Sequence, residues 1–282
     1  MQQKIALAIN AKAGNGTASK VSARITAILS VKGIFYTAFS DSWPSSFEGF
    51  TDVWIIGGDG TLNYFINKYS SINIPLVIFK GGTGNDFSWK LYGDISLEEQ
   101  ISLALNVEAK FVDAATCNRL LYINTVGIGF DGEVLHSMKA IRFLGGHLGY
   151  YLVVLQKIFS FREFRYKIYS EGLLADEKFL LVSIANSSRT GGGFHISPKA
   201  SVNDGWLDLV IVKPLGLLKR IFYLPQIEKG KHLQYPFVHH VIGTEFIIEC
   251  EKEIAAQLDG DLIVAKRFTF SLLKNKFLFR YK

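Results

Sequence analysis

From its N-terminal end the chain shows apolar positions at strand spacing. Lys4 to Asn10 alternates and then runs apolar, Ala11 to Thr17 is small and polar, and Ser19 to Lys32 carries apolar residues at helical spacing. That is the pattern of a strand, a glycine-bearing turn and a helix. Further apolar runs at Ile34 to Phe39, Val53 to Ile56 and Pro75 to Phe79 predict strands, with helices at Thr61 to Tyr69 and Ser96 to Asn106. Ser96 and Glu99 have the spacing of a capping box. Strands alternating with helices predict a largely parallel, doubly wound α/β sheet, whose ligands sit in loops beyond the carboxyl ends of the strands.

After about Asp113 the texture changes. Strand-like segments at Leu120 to Val126, Phe164 to Ser170, Lys178 to Asn186, Leu207 to Val212, Glu245 to Glu249 and Arg267 to Leu273 are punctuated by turn residues, and helical signals are few. A second, mostly antiparallel β domain is expected, dividing the chain into residues 1–117 and 118–282, with the last strand able to return to the first domain. Leu148 to Phe161, the most apolar stretch, is interrupted by Gln156 and Lys157 and falls short of the ~18–20 residues that span a bilayer. It reads either as a packing helix or as a lipid-facing amphipathic surface.

Composition narrows the class. At 49% hydrophobic and 20% charged residues, the 282-residue chain is neither disordered nor a multi-span membrane protein. Cys117 and Cys250 stand far apart without ligand spacing, which excludes a disulfide framework or zinc site and suits a reducing cytoplasm. The apolar run Ile5 to Ile9 is shorter than the ~7–15 residues of a secretory core and reads as a strand. The net charge of +6 suits an acidic partner, such as a nucleotide, nucleic acid or anionic lipid surface, and equally suits simple solubility.

Trp54 to Asn63 sets a buried strand before Gly57-Gly58-Asp59-Gly60-Thr61 and a helix start. Glycines let backbone N–H groups approach a phosphate chain, and a helix N-terminus favours negative charge. Asp59 would repel phosphate unless a cation such as Mg²⁺ lies between them, as phosphoryl transfer requires. A second loop, Gly82-Thr83-Gly84-Asn85-Asp86, follows the next strand in the same way, with Asn85 and Asp86 also fit to cap a helix from Phe87. The first turn, Asn10 through Gly14 to Gly16, has amides to offer but no Walker pattern. Gly127 to Gly132 matches G-x-G-x-x-G formally, without a complete βαβ unit around it, which leaves Asp131 as a carboxylate of interest. Asp204-Gly205 and Asp259-Gly260 are hairpin signals.

Taken in order, these runs resemble the diacylglycerol kinase catalytic family, particularly its soluble bacterial lipid kinases, with sphingosine and ceramide kinases as relatives. Gly57 to Asn63 matches Gly-Gly-Asp-Gly-Thr-x-Asn, Gly82 to Asp86 matches Gly-Thr-Gly-Asn-Asp, and Asn124 with Gly127 to Asp131 matches Asn…Gly-x-Gly-Phe-Asp. Asn186, Gly191-Gly192-Gly193, Pro198 and Asp204-Gly205 match the β domain's long motif. The resemblance implies a first domain akin to phosphofructokinase and NAD kinase, a β-sandwich second domain and a nucleotide in the cleft. It assigns triphosphate binding to Gly57, Gly58, Asp59, Gly60, Thr61, Leu62, Asn63 and Thr83, and a nucleotide contact to Ser40. It also implies a structural Mg²⁺ held by Asp204 and by carbonyls near Ser201 and Trp206. The general base of the family is the last acid of an Asp-Gly-Glu turn. Here Asp261 takes that place with one methylene less, and Asp131 is the reserve. Ala11 stands where Asn-Pro is usual, and Trp89 where an Arg often follows the second loop, with Lys90 beside it.

The expectation is therefore an ATP- and Mg²⁺-dependent lipid kinase, with a diacylglycerol-like acceptor and transient contact with the inner membrane surface from the cytoplasm. No nucleic-acid partner is expected, and a homodimer is compatible with this reading. The rivals are an NAD kinase, which shares the first loop, and a nucleotide-binding regulatory protein without turnover.

Overall fold

The computed structural model describes residues 3–40, 42–140 and 146–282. Its contacts fall into two compact units, one of Met1–Asp113 with Lys274–Lys282 and the other of Ala114–Leu273.

The first unit runs β1 (Lys4–Ile9), α1 (Thr17–Val31), β2 (Phe35–Phe39), β3 (Asp52–Gly57), α2 (Asp59–Lys68), β4 (Leu76–Lys80), α3 (Asp86–Tyr92) and α4 (Leu97–Asn106). Its strands pair in the order β2-β1-β3-β4, all parallel. Every residue of β3, and all of β1 but its first, is buried, as strands covered on both faces must be. The capping box forms: Ser96 Oγ accepts the Glu99 N–H, and the Glu99 carboxylate accepts the Ser96 N–H at 2.8 Å. Phe279 pairs in parallel with Leu76, so the chain's last residues extend this sheet beside β4. Arg280 secures that edge, pairing with the Asp52 carboxylate and donating to the Val107 carbonyl at 2.7 Å.

β5 (Ala109–Cys117) has residues in both units. The second unit continues with β6 (Leu120–Tyr122), β7 (Thr125–Gly129), α5 (Phe130–Ala140), α6 (Gly146–Ser160), β8 (Phe164–Tyr169), β9 (Leu173–Phe179), β10 (Leu181–Ala185), β11 (Leu207–Val212), α7 (Leu217–Glu228), β12 (Val238–Gly243), β13 (Glu245–Leu258) and the part of β14 (Asp261–Arg280) up to Leu273, the rest of that strand belonging to the first unit. Its strands pair antiparallel in the order β12-β11-β10-β7-β13-β14. β13 changes partner along its length: up to Cys250 it pairs with β8, and from Ala256 with β7, with a register shift between Glu249 and Ile254. The strands sort their side chains to two cores. Val182, Ile184, Leu209 and Ile211 point into one, while Leu181, Val210 and Val212 meet Val134, Val154, Ile158 and Leu224 of the helices in the other.

Three strand expectations are corrected. Leu120 to Val126 is two strands, broken at Ile123 and Asn124, whose N–H groups are claimed by Asp259 instead of a ladder. Lys178 to Asn186 is the end of β9 and all of β10, which join different partners. The strands expected at Glu245 and Arg267 are parts of the much longer β13 and β14. Helices are also commoner in this unit than the sequence pattern suggested, with α5, α6 and α7 covering one face.

Candidate active site

Three turns follow the carboxyl ends of β1, β3 and β4, and they are packed backbone on backbone. Gly81 N donates to Gly57 O at 2.8 Å. A Cβ added to Gly82 would lie 2.4 Å from Gly58 Cα, and one on Gly58 would lie 2.9 Å from Gly82 Cα. Gly14, at φ 59°, would place a Cβ 2.4 Å from Gly81 O. These glycines bring the turns together, a role that phosphate approach alone did not predict. Gly60 is different. A Cβ there meets nothing within 4 Å, so the start of α2 has open space beside it.

Side chains lock the arrangement. The Asp59 carboxylate accepts the first N–H groups of α3, from Asp86 at 3.0 Å and from Phe87 at 3.1 Å, so one loop's acid caps the helix that follows the other loop. Asn85, left-handed at φ 55°, accepts the Gly82 N–H at 2.9 Å and donates to Gly82 O at 2.7 Å, closing the second loop on itself. Asn10 donates to Thr61 Oγ1 at 2.9 Å. Burial, and then the neighbouring Asp86 carboxylate, push Asp59 up to about 6, against the pull of the α3 N–H groups. Two acids so placed are a site that a cation would relieve. The four acceptor positions of a carboxylate leave Asp59 capacity beyond its two helix contacts, so a hydrated Mg²⁺ fits here.

The other expected nucleotide residues divide by exposure. Thr83 and Ser40 are exposed, Thr83 in the second loop and Ser40 just past β2. Leu62 is buried in the core, and Asn63 is buried with its carbonyl and Oδ1 accepting from Asn67, so what these two offer a ligand is constrained by the helix. Trp89 and Lys90 are half-buried on α3.

In the second unit, Asp259 and Gly260 form the two-residue turn between β13 and β14, with φ of 46° and 93°, and Leu258 faces Asp261 across it. Asp259 is buried and accepts N–H groups from Ile123 at 2.8 Å, Asn124 at 3.1 Å and Thr125 at 2.9 Å. Asp261, the next acid, is exposed at the start of β14.

Asp131 sits in the first turn of α5, laid over β7: a Cβ on Gly127 would come within 2.0 Å of Asp131 Oδ2. That oxygen is buried with no hydrogen-bond partner among the described residues, and burial pushes the acid up to about 7. The ladder sets Ser183 and Gln257 directly opposite Gly127 on either side, on the same face of the sheet. Gln257 also accepts the Gly260 N–H at 3.0 Å, tying the Asp259–Gly260 turn to β7. Neither Ser183 nor Gln257 was singled out from sequence, because only the strand register places them here.

At Ser201 to Trp206, Asp204 Oδ1 accepts the Trp206 N–H at 3.1 Å, and Ser201 donates to Asn203 at 3.1 Å. Among the described residues no three acidic, His or Cys side chains cluster as metal ligands. A cation here would rest on one carboxylate, carbonyls and water, a hard oxygen set suited to Mg²⁺.

Two family models match, the diacylglycerol kinase catalytic domain over residues 4–117 and the YegS C-terminal NAD kinase beta sandwich-like domain over residues 124–273. The chain belongs to this family. It is a phosphotransferase with an alcohol acceptor, of the diacylglycerol and lipid kinase type. A relative from Enterobacter sp. (strain 638), named "Probable lipid kinase YegS-like", is 30% identical over 77% of this chain and 73% of its own length. The diacylglycerol kinase of Bacillus subtilis (strain 168) is 27% identical over 73% and 69%. A crystal structure named "a putative diacylglycerol kinase from Bacillus anthracis str. Sterne" superposes with a TM-score of 0.83 at 26% identity, covering 99% of this chain and 95% of that one. An NAD kinase from Archaeoglobus fulgidus, solved in complex with ATP, shares the fold alone, at a TM-score of 0.56 and 12% identity over 99% of this chain and 93% of that one. The α/β first domain and β-sandwich-like second domain expected from the sequence are both present. Among the described residues no helix is long and apolar enough to cross a membrane.

Proposed function

We propose that the chain transfers the γ-phosphoryl group of ATP to the hydroxyl of a diacylglycerol-like lipid. The observation that carries this is the Asp59 carboxylate capping α3, which joins both glycine loops into one rigid surface at the start of α2. Asn10, Gly14, Ser40, Gly57 to Asn63 and Gly82 to Asp86 form the nucleotide site in this reading. Mg²⁺ neutralises phosphate charge when bound, with Asp59 its holder. Asp204, with the carbonyls of Ser201 and Trp206, holds a second, structural Mg²⁺. Asp261 accepts the proton of the lipid hydroxyl, with Asp131 as the alternative; the unmet acceptor capacity of Asp131 Oδ2 supports the latter. Nucleotide binding belongs to residues 1–117 and the remaining machinery to 118–282. The enzyme works from the cytoplasm with transient contact at the inner membrane surface.

Purified protein incubated with labelled ATP, Mg²⁺ and a panel of diacylglycerol, sphingosine, ceramide and NAD tests this. Label in a lipid, diacylglycerol foremost, is the expected outcome. Label in NAD alone would transfer the assignment to the NAD kinases, and ATP binding without transfer to any acceptor would make the chain a nucleotide-binding regulator.

A further inference from the structure

The outer face of α7 lacks the polar cover that a surface helix normally carries. Leu217, Leu218, Ile221 and Phe222 are all exposed, Leu218 by 82% and Phe222 by 68%. They form two adjacent i, i+4 pairs, so they make one stripe and not scattered single residues. The helix does not need this face for its own packing. Leu224 is buried in the core beneath it, and Tyr223 packs on Tyr235 and Phe237.

A second apolar surface adjoins. Arg220 of α7 donates to the carbonyls of Ile158 and Phe161 at 3.0 Å each and pairs with Glu163 at 2.5 Å, fixing α7 against the end of α6. Phe159, in that same terminal turn of α6, is 60% exposed, and Leu152 lies two turns earlier on the same side, also exposed.

The charges around these helices are mostly basic, since Glu133 and Glu163 pair with Lys157 and Arg220 and exposed Glu228 closes α7. Between Asp208 and Glu228 the sequence has no acidic residue, and between Glu133 and Glu163 it has none either. Exposed Lys219 stands within the α7 stripe, exposed Arg162 follows α6, and exposed Lys229 and Lys231 follow α7. An apolar stripe that carries no acid and is flanked mainly by cations is how an interfacial helix meets anionic lipid, burying its apolar side chains at the headgroup boundary while lysines and arginines engage the headgroups.

We infer that the exposed face of α7, with Phe159 of α6, is the surface by which this chain docks on an anionic phospholipid bilayer. It rests on the lipid kinase reading for its purpose but not for its test, since binding is measured without nucleotide or turnover.

The full-length protein is co-sedimented with vesicles of phosphatidylcholine alone and of phosphatidylcholine with phosphatidylglycerol, alongside L218E/F222E. Wild type is expected to bind the anionic vesicles at least tenfold more tightly than the neutral ones, and less tightly as salt is raised. The double variant, with an unchanged unfolding midpoint, is expected to lose that binding by tenfold or more while retaining phosphoryl transfer to acceptor dispersed in detergent. Equal binding of wild type and variant would overturn the proposal. So would a wild-type dimer in sedimentation that the variant converts to monomer, since the face would then be covered by a second copy.

Discussion

The glycine loops of the first unit and the acidic turn region of the second both bury carboxylates beside backbone, but they use them differently. Asp59 and Asp259 engage both oxygens with N–H groups, two from the start of α3 and three from the segment after β6. Asp131 is buried over Gly127 with an oxygen that has no partner among the described residues. A carboxylate with both oxygens engaged by backbone fixes a backbone path. An unsaturated one holds free-energy cost in reserve for a ligand or a proton.

The largest expected effect on stability comes from breaking the better-satisfied example. Asp259→Ala strands three N–H groups, and at ~1–3 kcal/mol for each buried donor the loss should reach about 3 kcal/mol or more in urea unfolding. A loss below about 1 kcal/mol would mean that water replaces the carboxylate freely. Next comes the packing of the two loops. Gly82→Ala drives a methyl group into Gly58 and should cost about 1–3 kcal/mol, whereas Gly60→Ala should stay within about 0.5 kcal/mol of wild type and act on nucleotide affinity instead. If both variants unfold alike, the close approach of the loops is not what their glycines are for.

A further effect should appear at Asp131 and depend on pH. Its folded value of about 7 lies above the usual 3.8, so the folded state holds the proton more tightly. Its contribution is therefore most favourable below about pH 4 and declines as pH rises through about 7. Asp131→Asn should flatten that decline. If Asp131 also accepts the substrate proton, the same variant should abolish an acidic limb of kcat/KM near pH 7. An unchanged limb would leave that task to Asp261.

Much of the first unit was legible because β1, β3 and β4 are buried and therefore read as apolar runs, each followed by a glycine-bearing turn into the next helix. The second unit was less so. The break at Ile123 and Asn124 depends on Asp259, more than 130 residues away, and no local pattern announces it. Ser183 and Gln257 flank Asp131 only through strand register. α7 was missed because its exposed face is apolar, so the helical alternation of polar and apolar positions is blurred. The glycines themselves were read for their openness to phosphate, while at Gly14, Gly58 and Gly82 the structure shows contact between loops.

The central claim is that Asp59 holds the two loops in the geometry that phosphoryl transfer requires. Transfer from labelled ATP to diacylglycerol vesicles by wild type and by Asp59→Ala, with unfolding of both measured in parallel, tests it most directly. The account predicts that the variant remains folded, with a loss of about 0.5–2 kcal/mol from the missing helix cap, and transfers on the order of 10²-fold more slowly. Undiminished transfer by the folded variant would contradict it.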